Sequence, residues 1–262
     1  MTTSILERIP YPACPLCGAD TFSPAGTGDC SRHPLYCKEL PTSICWKQCA
    51  ACQHIFTEGY FSDAACSLLF SKINPNQQVG FDLERQRYLS ARMIDKVLPF
   101  ATSGYWLDVG FGNGSLLFTA HEYGFIPVGV DLRRENAQRM ADFGIRSYCE
   151  EITRLRLEFE CAVISMADVL EHMPFPPEGL RAAHRLLTPG GVLLLSMPNY
   201  ESAIWRALDD NKANPYWGEI EHYHNFSRSR LFSLLEEHGF KPLRYGISER
   251  YRASMEIIAQ KV

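Results

Sequence analysis

The sequence predicts an α/β fold, a doubly wound and mostly parallel sheet with helices on both faces, preceded by a small cysteine-rich module. From Tyr105 onward, short apolar runs alternate with amphipathic segments, as in a parallel sheet covered by helices. Eight of the ten cysteines lie in the first 66 residues, which marks that stretch as a structural problem of its own. A chain of 262 residues has room for one large domain and one accessory domain. The expected division is 1–62 for the cysteine-rich module, 63–100 for a helical connector and 101–262 for the main domain, with 200–226 as an insertion in it.

In the module, Cys14-Pro-Leu-Cys17 and Cys49-Ala-Ala-Cys52 form two Cys-x-x-Cys pairs. Each pair on a tight turn aims two thiolates at one point, and two pairs complete the tetrahedron that Zn²⁺ prefers. Gly18 follows the first pair, where such a turn needs positive φ. Cys30, Cys37 and Cys45 stand between the pairs as further thiols, and His33 and His54 as alternative ligands. Four thiolates leave no open coordination position, so the expected zinc is structural. A segment this short and loop-rich is expected to have little core of its own and to take much of its folding energy from the metal. The competing reading is a set of buried free cysteines without metal.

Asp63 to Lys72 has the spacing of a short helix, which Asn74 to Gly80 breaks with turn residues. Phe81 to Val97 returns to helical spacing, with Leu83, Tyr88, Leu89, Met93, Ile94 and Val97 as its apolar stripe. In the main domain the expected strands are Tyr105 to Val109, Pro127 to Asp131, Arg146 to Cys149, Cys161 to Met166 and Val192 to Met197. Gly124, Gly144 and Thr188-Pro-Gly-Gly191 are helix stop signals. Ligands of such folds bind beyond the carboxyl ends of the strands. Leu107-Asp-Val-Gly-Phe-Gly-Asn-Gly-Ser115 runs from a strand through a glycine turn into a helix, and Asp131 ends the next strand. A carboxylate there can accept both hydroxyls of a ribose diol. Ser115 occupies the sixth position, where the dinucleotide fingerprint needs glycine, so that fingerprint fails.

The net charge of −4 argues against a nucleic-acid backbone or an anionic membrane as partner. Residues 1–72 carry five basic side chains against six acidic ones, with no basic stripe to neutralise phosphates. No apolar run is long enough for a signal peptide or a membrane span, which leads us to expect a soluble, cytoplasmic protein.

Gly-x-Gly-x-Gly with Asp108 two residues ahead resembles motif I of class I S-adenosylmethionine-dependent methyltransferases. Asp168-Val-Leu-Glu-His172, Leu187 to Asn199 and Glu221-His-Tyr-His-Asn-Phe-Ser227 resemble that family's later motifs, in the right order. The resemblance implies a seven-stranded Rossmann-like sheet and S-adenosylmethionine as cofactor. It implies that Asp108, Gly110, Gly112 and Gly114 form the turn at the cofactor, the first two glycines nearest its methionine portion. Asp131 would hold the ribose, Leu132 would pack beside adenine and Met166 would offer backbone contacts. Phe111 departs from the small residue usual between the first glycines, so it would either narrow the cofactor channel or pack on the methionine chain.

Methyl transfer is an in-line displacement, for which the enzyme positions the nucleophile and removes its proton. Glu221, His222 and His224 are the candidate bases, and His222 matches a histidine common in sugar and small-molecule methyltransferases. The aromatics Trp205, Tyr216, Trp217, Tyr223 and Phe226 would wall the sulfonium from water or, for the two tryptophans, anchor the insertion. The expected function is methylation of a small molecule, such as a nucleotide-linked sugar or a secondary metabolite. An rRNA methyltransferase with a zinc-ribbon recognition module is the enzymatic alternative. A zinc-dependent interaction protein with a vestigial cofactor fold is the non-enzymatic one.

Overall fold

A computed structural model describes residues 6–71, 75–251 and 253–262. Lys72 and Asn74, expected at the end of the first connector helix and the start of the break, lie outside them. In chain order the elements begin with β1 (Ile9–Pro10), β2 (Phe22–Asp29), β3 (Ser43–Cys49), β4 (Ile55–Thr57), β5 (Gly59–Tyr60), α1 (Asp63–Ser71) and α2 (Leu83–Val97). There follow β6 (Tyr105–Val109), α3 (Ser115–Glu122), β7 (Ile126–Asp131), α4 (Arg134–Asp142), β8 (Arg146–Cys149), β9 (Cys161–Ala167) and α5 (Pro176–Leu186). The chain closes with β10 (Leu187–Pro198), α6 (Ala203–Asp210), β11 (His224–Asn225), α7 (Arg228–Glu237), β12 (Phe240–Ile247) and β13 (Ser254–Lys261). No helix among the described residues is long and apolar enough to cross a membrane.

Two compact units make up the chain, the larger comprising Pro75–Leu170, Pro177–Met197 and Phe232–Val262. Its seven-stranded sheet has the order β12-β13-β10-β9-β6-β7-β8. The pairs β10/β9, β9/β6, β6/β7 and β7/β8 are parallel and β12/β13 is antiparallel. The expected doubly wound, mostly parallel sheet is therefore present. After β6 the chain winds outward through β7 and β8, then returns to the other side of β6 as β9. That reversal puts the ligand crevice at the carboxyl ends of β6 and β9. Met93, Ile94 and Val97 of α2 are buried with Trp106, Leu116, Ala120 and Phe125, so the apolar stripe of α2 belongs to this core. Tyr88, read into the same stripe, is 64% exposed.

The Thr-Pro-Gly-Gly stop at 188–191 falls inside β10 instead of ending a helix. α5 already stops at Leu186, and β10 pairs with β9 from Leu187↔Cys161, with a register shift before Val192↔Val163. A bulge accommodates the proline and glycines that regular pairing would not.

The smaller unit joins the described residues up to 71 to Glu171–Pro176 and Pro198–Leu231. It holds a four-stranded sheet of order β11-β4-β3-β2. Its core contains Leu40, Ile44, Trp46, Ile55, Phe61 and Leu69 together with Ile220 and Tyr223 from far along the chain. The expectation of little core is thus corrected: most of these side chains come from the first 62 residues themselves, and Leu69, Ile220 and Tyr223 complete the cluster. Trp205 stacks on Tyr216 with ring centroids 5.0 Å apart, and the Trp46 indole N–H donates to the Trp217 carbonyl at 2.9 Å. Both tryptophans of the 200–226 stretch act as anchors within this unit.

Candidate functional site

In the larger unit, Gly110, Gly112 and Gly114 take φ of 65°, 53° and 78°, left-handed values that a Cβ disfavours. A Cβ on Gly112 would meet nothing nearer than the Gly110 carbonyl at 3.9 Å, so an open cradle lies beside this backbone. Phe111 turns the other way. Its ring would lie within 2.6 Å of a Cβ on Gly129 and is buried with Leu117, Met140 and Ile145. The large residue between the glycines thus fills the core and leaves the turn open.

Asp131, at the end of β7, is tied to that turn. Its Oδ2 accepts the Gly112 N–H at 3.3 Å, and Oδ1 accepts the backbone N–H and Nε of Arg133 at 2.8 and 3.3 Å. A carboxylate has about four lone-pair sites, so one acceptor position remains for a hydroxyl. Arg133 Nη1 donates to the Gln77 side chain at 2.7 Å, and Asn136 Nδ2 donates to the carbonyls of Gln77 at 3.1 Å and Gly112 at 3.3 Å. Leu132, next to the acid, is 59% exposed, an apolar face able to receive a planar base. Met166 is buried in β9, where its backbone alone is available for contacts.

Asp108 is buried in β6, and its Oδ1 accepts the Ser165 hydroxyl at 2.6 Å, while the Trp106 indole N–H donates to Ser165 Oγ at 2.8 Å. Burial raises its carboxyl to about 6, against Ser165 and Arg250, which favour the anion. An acid whose folded pKa lies above its unfolded value stabilises the fold at low pH and loses that contribution as pH rises to about 6. Asp108→Asn is therefore expected to raise stability by on the order of 2–3 kcal/mol at pH 8, with the gain vanishing towards pH 4. Denaturant melts across that range check this. A pH-independent difference would show that the burial of charge is not what sets it.

At the carboxyl end of β9, Asp168 holds φ of 59°, a conformation costing on the order of 1–3 kcal/mol for a residue with a Cβ. Its N–H donates to the Ser196 carbonyl at 2.7 Å, and its Oδ1 accepts the Ser196 hydroxyl at 3.2 Å. Arg250 Nη1 lies 3.8 Å from Oδ2. This strained acid sits at the sheet's switch point.

In the smaller unit the sulfurs of Cys14, Cys17, Cys49 and Cys52 lie within 4.8 Å of one another. The Cys14–Cys52 and Cys17–Cys49 sulfurs are 3.7 and 3.6 Å apart, where Zn–S bonds of ~2.3 Å in a tetrahedron require about 3.8 Å. The two turns are built alike. Cys14 N–H donates to the Ala19 carbonyl and Gly18 N–H to the Cys14 carbonyl; Cys49 and His54, and Gln53 and Cys49, repeat the pattern. Gly18 has φ of 76°, as expected, and the second turn puts Gln53 there at 59°. Cys30 instead donates its thiol to the Pro41 carbonyl, and His33 bonds Glu219 at 2.8 Å. The donor set fits a structural Zn²⁺.

The same unit gathers Glu171, His172 and His222, with one donor atom of each within 4.8 Å of the others. The Tyr223 N–H donates to the Glu171 carbonyl at 2.9 Å, and His172 Nδ1 donates to the Glu221 carbonyl at 3.0 Å. Two imidazoles and a carboxylate can accept a proton or hold a divalent cation. His222 is 7% exposed, its Nδ1 has no hydrogen-bond partner, and burial and then His172 hold it well below the ordinary histidine range. Burial thus favours the neutral form of the His222 ring. His224 is fully buried, with Nδ1 against His54 at 3.0 Å and Nε2 donating to the Met173 carbonyl at 2.9 Å. Burial pushes it down to about 3. Both of its nitrogens are occupied.

A family model described as "Methyltransferase domain" matches residues 82–245. The chain belongs to this methyltransferase family. Over 101 residues it is 31% identical to the ubiquinone biosynthesis O-methyltransferase of Pseudomonas paraeruginosa, covering 36% of this chain and 44% of that one. The Coxiella burnetii enzyme of the same name is 30% identical over 100 residues, which is 36% of this chain and 43% of that one. The methyltransferase thus spans under half the length of these curated relatives.

Among solved structures, the 1,6-didemethyltoxoflavin-N1-methyltransferase of Burkholderia thailandensis has a TM-score of 0.57 at 18% identity, covering 82% of this chain and 98% of that one. The magnesium protoporphyrin IX methyltransferase of Synechocystis has 0.54 at 18% identity, covering 71% and 89%. Both share the fold.

In this methyltransferase the larger unit brings together Asp108, the three glycines, Asp131, Leu132 and Met166. Sequence reasoning missed Gln77, Arg133, Asn136, Ser165 and Arg250. Arg133 and Asn136 follow Asp131 by two and five residues, on the turn and first helical residues after β7, a spacing that could have flagged them. Nothing near Gln77 in the sequence points to the loop it braces.

Proposed function

We propose that this methyltransferase acts on a small-molecule acceptor, a nucleotide-linked sugar or secondary metabolite, with His222 as the base and a structural Zn²⁺ on Cys14, Cys17, Cys49 and Cys52. The observation that carries the base assignment is the neutral, buried His222 with an unpartnered Nδ1 beside the Glu171 carboxylate. Small acceptors are supported by a relative named for ubiquinone biosynthesis and by similar structures of enzymes named for 1,6-didemethyltoxoflavin and magnesium protoporphyrin IX. The absence of a basic stripe in the cysteine-rich segment supports the same reading.

Bound S-adenosylmethionine supplies an electrophilic methyl group on a sulfonium. The cradle at Gly112 and the free acceptor position of Asp131 suit its nucleoside, and the buried Asp108 suits a cationic ligand. His222 would take the acceptor's proton, and the nearby Glu171 carboxylate would offset the imidazolium charge as it forms. Glu221 is the helper or alternative base, its carbonyl holding His172. His224, with both nitrogens bonded, is assigned to positioning.

His222→Gln is expected to lower transfer from methyl-labelled S-adenosylmethionine to a metabolite fraction by about 10²–10⁴-fold. S-adenosylhomocysteine affinity should stay within about twofold, because His222 lies outside the groups assigned to the cofactor. Transfer at the wild-type rate would remove His222 from the base role.

A further inference from the structure

His54 and His224 are both fully buried in the smaller unit and are joined to each other by a side-chain hydrogen bond. His224 Nε2 faces the Met173 carbonyl at 2.9 Å, and a carbonyl only accepts, so Nε2 carries the proton. Nδ1 of the neutral ring is then an acceptor, and His54 Nε2, 3.0 Å from it, must be the donor. The rings lie 5.1 Å apart at 28°. This arrangement leaves His54 Nδ1 buried without a partner, a cost that a histidine held only for packing would not need to bear.

Each end of the chain of bonds is anchored. His54 belongs to the second cysteine turn: its carbonyl accepts the Cys49 N–H at 2.9 Å and its N–H bonds the Cys52 sulfur. Met173 follows Glu171 and His172, and Tyr223 precedes His224. Thr57 N–H donates to the Tyr223 carbonyl at 3.0 Å, and Tyr223 N–H to the Glu171 carbonyl at 2.9 Å.

We infer that His54 and His224 form a strut of fixed tautomer that transmits the state of the four-cysteine site to the segment carrying Glu171, His172 and His222. Metal loading would then govern the geometry of the proposed base. His54 is a positioning residue in this account, and the regulatory consequence rests on the reading of His222 given above.

The test uses the full zinc-loaded chain and two variants, His54→Gln, which keeps a donor near the Nε2 position, and His54→Phe, which keeps the ring without one. Amide exchange and long-range ¹H–¹⁵N spectra of the histidines are read at Tyr223 and His224. His54→Phe is expected to speed exchange of the Tyr223 N–H about tenfold and to change the His224 tautomer, while His54→Gln stays within about twofold of wild type. Exchanging zinc for the larger cadmium ion, which keeps the four-thiolate site filled, should shift the His224 ring ¹⁵N resonances in the wild type and leave them unmoved in His54→Phe. Unchanged Tyr223 exchange and tautomer in His54→Phe would overturn the inference. So would equal acceleration throughout β2 and β3, which marks a general loss of stability. S-adenosylhomocysteine binding, measured in parallel, is expected to be the same in all three proteins. Failure of the wild type to bind it would count against the cofactor reading and leave the strut untouched.

Discussion

Replacing Asp131 by alanine is expected to weaken S-adenosylhomocysteine binding by about 10²-fold or more. Two losses combine. The carboxylate is the group proposed to accept from the ribose, and hydrogen bonds to a charged acceptor contribute about 1.5–3 kcal/mol each. It also holds the turn, since it accepts the Gly112 N–H and two donors of Arg133, which in turn reaches Gln77. Asp131→Asn, which keeps one acceptor oxygen, should fall between alanine and wild type. Calorimetric titration of folded variants checks the series. A dissociation constant within about threefold of wild type in Asp131→Ala would show that the cofactor does not use this acid.

Removing the metal, or replacing Cys14 by serine, is expected to unfold the smaller unit at ambient temperature. Structural zinc contributes about 10–16 kcal/mol in modules of this kind, more than a small core can replace. Three of the four tryptophans, Trp46, Trp205 and Trp217, belong to this unit, and the first two are almost completely buried. A red shift of tryptophan emission on chelation, with about one zinc per chain released, is the expected signal. A chain that contains no zinc and melts identically with chelator would favour buried free cysteines instead.

The order of the main sheet was largely legible because buried parallel strands announce themselves. Tyr105–Val109 and Arg146–Cys149 have the bounds read from the sequence, and β9 differs by one residue. β10 was read too short because proline and glycine signal a stop locally, and only the pairing of Leu187 with Cys161 overrides that signal. The smaller unit was far less legible. Its sheet is completed by the two-residue β11, whose His224 pairs with Phe56 across more than half the chain. No local pattern encodes a contact of that range. At the candidate site, Asp131 and the glycines stood out by spacing, whereas Ser165 is recognisable only once the pairing of β6 with β9 that places it beside Asp108 is known.

The most direct test of the account is transfer itself. The wild-type chain, incubated with methyl-labelled S-adenosylmethionine and an extract separated into small metabolites and RNA, should place label in the metabolite fraction, insensitive to moderate salt. Label confined to RNA and suppressed steeply by salt would contradict the proposed acceptor class, and no transfer to either fraction would favour an interaction protein with a vestigial cofactor fold.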